Sequence, residues 1–256
     1  MTEESKNSKS SQPEENPLMN ILINVLAPVL ILSWMSKEEG KFYHLGPMWA
    51  MLAALALPVA YFIYHFVKYR KANTFSIVGI LSVLLTGLIT LYIWSDDSPE
   101  HRAKAALFFG MKEAIFPLIL GSLFLITHKA KTPMFNTFIY NDGIFEVRKI
   151  ESIVQNKAKH ADYNKLLWTS TLLFFGSFLL SSGLNLAVAF YYLSDLDPTA
   201  IDWKIQYNDG IAKITGIGAL IIAAPLLIIG GFILFRLING LKKITDLELE
   251  QIIRAK

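Results

Sequence analysis

Six apolar blocks of about 18–28 residues, separated by polar connections, constrain this chain more than any other feature. About 20 apolar residues in a row are needed to cross the hydrocarbon core of a bilayer as a helix. A soluble core helix rarely needs such a run, and apolar residues make up 53% of the chain against 18% charged. The sequence therefore predicts an all-α, polytopic membrane protein with six transmembrane helices.

The blocks and their flanks divide the chain into three regions. Residues 1–16 are too hydrophilic to bury anything and are predicted to form a disordered cytoplasmic tail. Residues 17–240 form a predicted six-helix transmembrane domain, and residues 241–256 a predicted amphipathic cytoplasmic helix. The predicted spans are Leu18–Met35, Pro47–Val67, Thr74–Trp94, Ala105–Thr127, Leu166–Leu193 and Ile214–Leu237.

Basic residues are distributed unevenly between the connections. Fifteen of the 24 Lys and Arg residues lie in the second-to-third connection, in the fourth-to-fifth connection or in the tail from Arg236 onward. Only six lie in the alternate connections. Because basic connections stay in the cytoplasm, both chain ends are predicted to be cytoplasmic, as an even number of spans requires. The expected location is a bacterial inner membrane, with the lipid bilayer as the first partner.

Two segments on the basic side mix apolar and basic residues. These are the connection 128–164, a predicted cytoplasmic interfacial segment, and the C-terminal stretch 241–256. Both are predicted to be amphipathic interfacial helices lying at the membrane surface. Two interpretations stay open, since such helices either cap the bundle at anionic headgroups or dock a cytoplasmic protein partner.

The fourth span contains the strongest candidate site, Lys112 and Glu113 followed by Pro117. A charge inside a span costs about 2.5–3.5 kcal/mol, so both residues are functional candidates. Neighbouring side chains point about 100° apart on a helix, and each is predicted to need its own partner. Pro117 has no N–H to donate to the Glu113 carbonyl, which leaves an acceptor for a cation or proton. Alternatively, Lys112 extends to the interface and Glu113 satisfies a neighbouring helix.

Two further spans carry weaker candidates. Asn24 precedes Pro28 by four residues, as Glu113 precedes Pro117, which is compatible with a three-plus-three inverted repeat. In the fifth span, Asn185 shares a face with Ser181 and Ser182 and is expected to bond across helices. Small residues are expected to let helices approach closely at Gly183, Gly216, Gly218, Gly230 and Gly231.

Several functional classes find no support in the sequence. Cysteine is absent, which excludes thiolate zinc sites and cysteine nucleophiles. The five His residues are scattered, and no phosphate-binding loop or nucleophile elbow occurs. Basic residues lie between apolar spans rather than on one polar domain, which argues against nucleic-acid binding. The chain is therefore not expected to be an enzyme or to bind a cofactor or metal.

Two stretches carry a family resemblance. The first is the fourth span and the segment after it, Lys112 through Phe135. The second comprises Leu167-Trp168, Phe174-Phe175, Gly183 through Phe190, Asp202-Trp203-Lys204 and a last span with glycine from Gly216. Both resemble the intracellular septation protein A family of small inner-membrane proteins. The resemblance implies a role in envelope upkeep and septation through contacts with division-machinery proteins.

The chain also departs from that family. It has an expanded segment at 136–160, and its Glu113–Pro117 and Phe42–Pro47 motifs look more like a sister subgroup labelled as transporters. Two hypotheses follow. The first is a membrane interaction protein that supports division or envelope integrity. The second is a small transporter or lipid-handling protein that uses the Lys112/Glu113 site, and since six spans are few for a transporter, it would act as a homodimer.

Overall fold

The computed structural model describes residues 22–38, 40–69 and 74–254. Those ranges are helical and contain no β-strand, which confirms the all-α prediction. The predicted disordered tail, residues 1–16, lies outside the described residues. The helices are α1 (Leu22–Met35), α2 (Gly46–Tyr69), α3 (Thr74–Trp94), α4 (Pro99–Arg102), α5 (Ala105–Ile126), α6 (Met134–Phe138), α7 (Val147–Asn156), α8 (His160–Leu193), α9 (Trp203–Thr245) and α10 (Leu249–Ile252).

Four helical segments are long and apolar enough to cross a membrane, and they correspond to α2, α4 with α5, α8, and α9. The other two predicted spans correspond to shorter apolar stretches among the described residues, Leu22–Met35 and Leu81–Trp94. The predicted start of the first span, Leu18, lies outside the described residues. The structure thus has the apolar helices of a membrane protein, with four of spanning length, and six crossings stay a prediction.

The last two long helices extend well beyond their predicted spans. Helix α8 begins at His160 instead of Leu166, and α9 runs from Trp203 to Thr245 instead of from Ile214 to Leu237. Hydropathy marks where residues become polar, whereas a helix continues as long as its backbone bonds and packing allow. The boundary predicted at residue 241 therefore lies inside α9. After α9 ends at Thr245, only α10 is helical among the described residues.

Consecutive long helices run in opposite directions. The ends of α1, α3 and α8 and the starts of α2, α5 and α9 all contribute to one apolar cluster, called here the Trp203 cluster. The opposite end of the bundle, called the basic end, lies where α5 and α9 finish and α8 begins. Chief members of the Trp203 cluster are Leu32, Met51, Ile93, Trp94, Phe109, Leu193, Trp203 and Tyr207.

Helices α5 and α8 form the most extensive helix pair, and two glycines of α5 allow their close approach. A Cβ on Gly110 would lie 2.9 Å from a methyl of Leu186, and one on Gly121 would lie 2.7 Å from the Cβ of Phe178. Eleven residues are close to three helical turns, so both glycines face α8. This contact fixes the antiparallel register of the two helices.

The segment between α5 and α8 folds into a cap at the basic end. The cap joins α6 and α7 to the last turns of α9 and to α10, around a core of Phe135, Tyr140, Phe145, Ile150, Val154, Leu241, Ile244 and Ile252. The backbone N–H of Glu146 donates to the carbonyl of Ile252 at 2.8 Å, and that of Arg254 donates to Ile144 at 2.9 Å. The two predicted interfacial segments therefore pack on each other.

This packing corrects the expectation that their apolar faces lie on the membrane. Ile150 and Val154 of α7 are 0% and 1% exposed, because their face is covered by α9 and α10. A helical repeat of apolar residues shows only that one face of the helix is shielded from water. It does not distinguish lipid from protein as the cover.

Candidate intramembrane polar site

Lys112 is the most deeply buried charge among the described residues, with 5% of the residue exposed. Its ammonium donates to the hydroxyl oxygen of Thr86 on α3 at 2.6 Å and lies 4.8 Å from the centre of the Phe109 ring. The Thr86 hydroxyl in turn donates to the Ser82 carbonyl at 3.0 Å. Lys112 therefore points into the bundle, and the alternative in which it extends to the interface does not describe this arrangement.

The prediction that Lys112 and Glu113 have separate partners is wrong. Their side chains form an ion pair although their Cβ atoms point in different directions. The four-carbon stem of lysine is long enough to bring the ammonium back to the neighbouring carboxylate. The spacing rules for helices give the positions of Cβ atoms. A long, flexible side chain can still place its charged end group next to a neighbouring residue.

Glu113 occupies a different environment from its partner. Its side chain is 26% exposed, against 3% for that of Lys112. It lies eight residues after Ala105, or about 12 Å along a helix of 22 residues. Helix α5 continues through Pro117 without a break, so the proline is accommodated inside the span. A partly exposed carboxylate is thus held near the middle of an apolar helix.

Asn185 lies at the same depth on the neighbouring helix. The register set by Gly110 against Leu186 and by Gly121 against Phe178 places Asn185 level with Glu113. Asn185 is seven residues from Phe178 and therefore lies on the face of α8 that packs against α5. Two of the predicted site residues are thus brought to one layer of the bundle.

Among the described residues, the expected cross-helix bond of Asn185 is not formed. Its amide donates to the carbonyl of Ser181 at 2.8 Å, one turn earlier on the same helix. The Ser181 hydroxyl oxygen is a weaker acceptor at 3.4 Å. This local bond satisfies the amide group without a partner on another helix.

The predicted close helix approaches at glycine are found at some positions and not at others. A Cβ on Gly218 would lie 2.7 Å from Val188, which confirms a close approach there, and one on Gly216 would be in ordinary contact with Val29 at 3.7 Å. At Gly183, Gly230 and Gly231 no close approach is found among the described residues, since nothing lies within 4 Å of a Cβ there. Helix α5 approaches its neighbour closely at Gly110 and Gly121, which the sequence reasoning did not single out.

Asn24 lies on a different helix from the other candidate residues. It lies in a π-helical turn at the start of α1, and α1 packs mainly against α2 and the first half of α9. Lys112 and Glu113 are on α5, which packs mainly against α8 and α3. A shared role for the Asn24–Pro28 and Glu113–Pro117 spacings stays a prediction.

A charged network at the Trp203 end was missed by the sequence reasoning. Asp97 accepts a 2.7 Å bond from Arg102 and lies 3.2 Å from the ammonium of Lys204. Arg102 stacks over the ring of Trp203 and also donates to the Pro198 carbonyl at 3.1 Å. These contacts tie the α3–α4 connection to the α8–α9 connection. Both cations hold the pKa of the Asp97 carboxyl below its ordinary 3.8.

Asn208 provides a second polar contact at that end. It is fully buried, and its amide donates to the Ser36 hydroxyl and to the Pro47 carbonyl, both at 2.9 Å. The first turns of α9 are therefore bonded to the end of α1 and the start of α2. In the sequence, Asn208 belongs to a set of polar residues before the last apolar block, and such a set is typical of a connection between spans.

Comparisons with known proteins do not identify this fold or site. No protein-family model matches the chain, and no curated protein or solved structure matches it either. The resemblance to the intracellular septation protein A family therefore rests on the quoted sequence stretches.

Within the described residues, the polar layer has a definite chemical character. It contains a buried ammonium, a partly exposed carboxylate and neutral oxygens of Thr86 and Ser181 on the flanking helices. Such a layer can hold helices in register, and it can also receive a cation or proton at the exposed edge of the carboxylate.

Proposed function

We propose that this protein is a membrane interaction protein of the bacterial inner membrane. In this proposal it supports envelope maintenance and septation through protein contacts made by its cap. The observation that carries the interaction role is the cap itself, in which two distant segments of the chain form one apolar core beyond the bundle. The septation part is supported by the sequence resemblance alone.

The cap has the properties of a docking module. The ion pair of Lys157 with Asp246 and the bond from Lys157 to the Thr245 carbonyl join the end of α7 to the end of α9. This bracing keeps the cap surface in one arrangement, which reduces the entropy lost when a partner binds. Arg148 and Lys149 are exposed on α7, so the cap offers basic groups to an acidic partner surface.

The experiment compares two double variants in a strain that lacks the protein, scored for septation and osmotic tolerance. Arg148→Glu/Lys149→Glu reverses two exposed charges without touching the cap core. Arg148→Lys/Lys149→Arg keeps both charges as the matched control. At equal membrane levels, the reversal is expected to fail while the exchange rescues. Full rescue by the reversal would contradict docking through this surface.

A second candidate, a small transporter or lipid-handling protein, is favoured by Glu113. A carboxylate that is 26% exposed near the middle of an apolar helix is accessible to a substrate or to a second copy of the chain. The test is rescue by Lys112→Gln/Glu113→Gln at normal membrane levels. Failure would place the working site in α5, whereas full rescue would count against this candidate.

A further inference from the structure

An open groove lies at the basic end between the start of α8 and the last turns of α9. On α9 it is lined by Phe232, Phe235, Arg236, Asn239 and Lys243. Positions 232, 236, 239 and 243 are three or four residues apart, so they form one stripe along the helix. The groove therefore combines aromatic and cationic groups on a single face.

The two cations of the groove have no anionic partner among the residues that the structure describes. Arg236 and Lys243 are exposed, and neither is paired with a described carboxylate. The adjacent Lys242 differs, since it bonds to Glu248 at 2.8 Å. Seven residues separate the two groove cations, about 10 Å along the axis, and their long side chains can converge on one anion between them. The Asn239 amide lies between them as a further donor.

The aromatic residues lie on the membrane side of the cations. Phe232 and Phe235 are 54% and 64% exposed. Phe232 lies one turn before Arg236 and Phe235 about two turns before Lys243, inside the predicted apolar span that ends at Leu237. The opposite wall is Leu166 of α8, which approaches so closely that a Cβ on Gly240 would lie 2.5 Å from its methyl group. The groove is thus apolar at the depth of the hydrocarbon and cationic where the apolar stretch ends.

We propose that this groove binds an anionic phospholipid of the surrounding leaflet. Arg236 and Lys243 hold the phosphate, and an acyl chain lies along Phe232 and Phe235. Basic grooves where membrane helices end suit phosphate headgroups. A free phosphate would leave the aromatic half of the groove unfilled, which favours a lipid. The inference is independent of the proposed function, because it concerns α8 and α9 rather than the exposed surface of the cap or the Lys112 layer.

The test uses the full-length protein in nanodiscs that contain phosphatidylglycerol or phosphatidylcholine with the same acyl chains. Native mass spectrometry counts the lipids retained after release. Arg236→Gln/Lys243→Gln removes both groove cations. Arg148→Gln/Lys149→Gln removes one Arg and one Lys from the same end of the molecule but outside the groove. Arg236→Lys/Lys243→Arg keeps the charge in the groove.

We expect the groove variant to retain phosphatidylglycerol about tenfold to thirtyfold more weakly, since each cation at an anionic surface contributes measurably to affinity. Phosphatidylcholine retention and both control variants should match the unmodified protein. An equal loss in the Arg148/Lys149 variant would show diffuse attraction and overturn the site, as would no loss in the groove variant. Binding of glycerol phosphate to the unmodified protein as tightly as phosphatidylglycerol would overturn the lipid as occupant, because the acyl chain would then contribute nothing.

Discussion

The Lys112–Glu113 pair should behave as one energetic unit, which a double-mutant cycle can measure. Glu113→Gln leaves a 3%-exposed ammonium without its counter-charge, and its partners among the described residues are then neutral. An unpaired buried charge of this kind costs about 3–5 kcal/mol. Lys112→Met removes that charge and leaves a carboxylate that is 26% exposed, which should cost less, about 1–3 kcal/mol.

The double variant Lys112→Met/Glu113→Gln buries no charge and should be more stable than Glu113→Gln alone. The expected coupling energy is at least about 2 kcal/mol. Unfolding by sodium dodecyl sulfate in mixed micelles, followed by tryptophan fluorescence, gives the four free energies. The matched control is the exposed pair of Asp209 and Lys213, 2.7 Å apart. Its coupling should stay below about 1 kcal/mol.

Additive effects of the Lys112 and Glu113 substitutions, within about 0.5 kcal/mol, would refute the reasoning. They would mean that the two groups do not interact in the folded protein. A double variant less stable than Glu113→Gln alone would also refute it, because burial of the charge would then not be the source of the cost.

Three further predictions concern other parts of the fold. Gly121→Ala should lower the melting temperature because the new Cβ lies 2.7 Å from Phe178, whereas Gly176→Ala, with no described neighbour within 4 Å, should not. Ile150→Ala should cost about 2–5 kcal/mol and expose the cap to proteolysis, since the side chain is fully buried. The depressed pKa of Asp97 means that its two ion pairs stabilise the fold above pH 3.8 and lose that effect as pH falls further. Asp97→Asn should therefore lower the melting temperature at neutral pH, and the difference should vanish in acid.

The sequence predicted the helical class and the centres of the helices well. The predicted limits of the third span, Thr74–Trp94, are those of α3, because polar residues interrupt the apolar run at both ends. The limits of the last helix were not predictable from hydropathy. Its first turns carry the charged residues Lys204, Asp209 and Lys213 and bury Trp203 and Tyr207, so their average polarity resembles that of a loop.

The contacts of Lys112 and Glu113 could not be predicted from the sequence. Lys112 and Glu113 are conspicuous because charges are rare in apolar runs. Their pairing depends on side-chain rotamers, and the partnership with Thr86 depends on how α3 packs against α5. Neither the ion pair nor the contact with Thr86 can be predicted from the residue spacing within one helix. The register of α8 against α5 could not be predicted either, since Gly110 and Gly121 differ from other glycines only in the residues that lie opposite them.

The cap also has a consequence for the order of events during synthesis. Phe145 and Ile252 both belong to its core, yet 107 positions separate them along the chain. At about 5–20 residues per second, a ribosome needs roughly 5–20 s to make the intervening segment. During that interval the apolar face of α7 has emerged without its cover. The cap at the basic end is therefore complete only after α10 has been made, and any chaperone that shields the nascent chain must hold residues 134–154 until then.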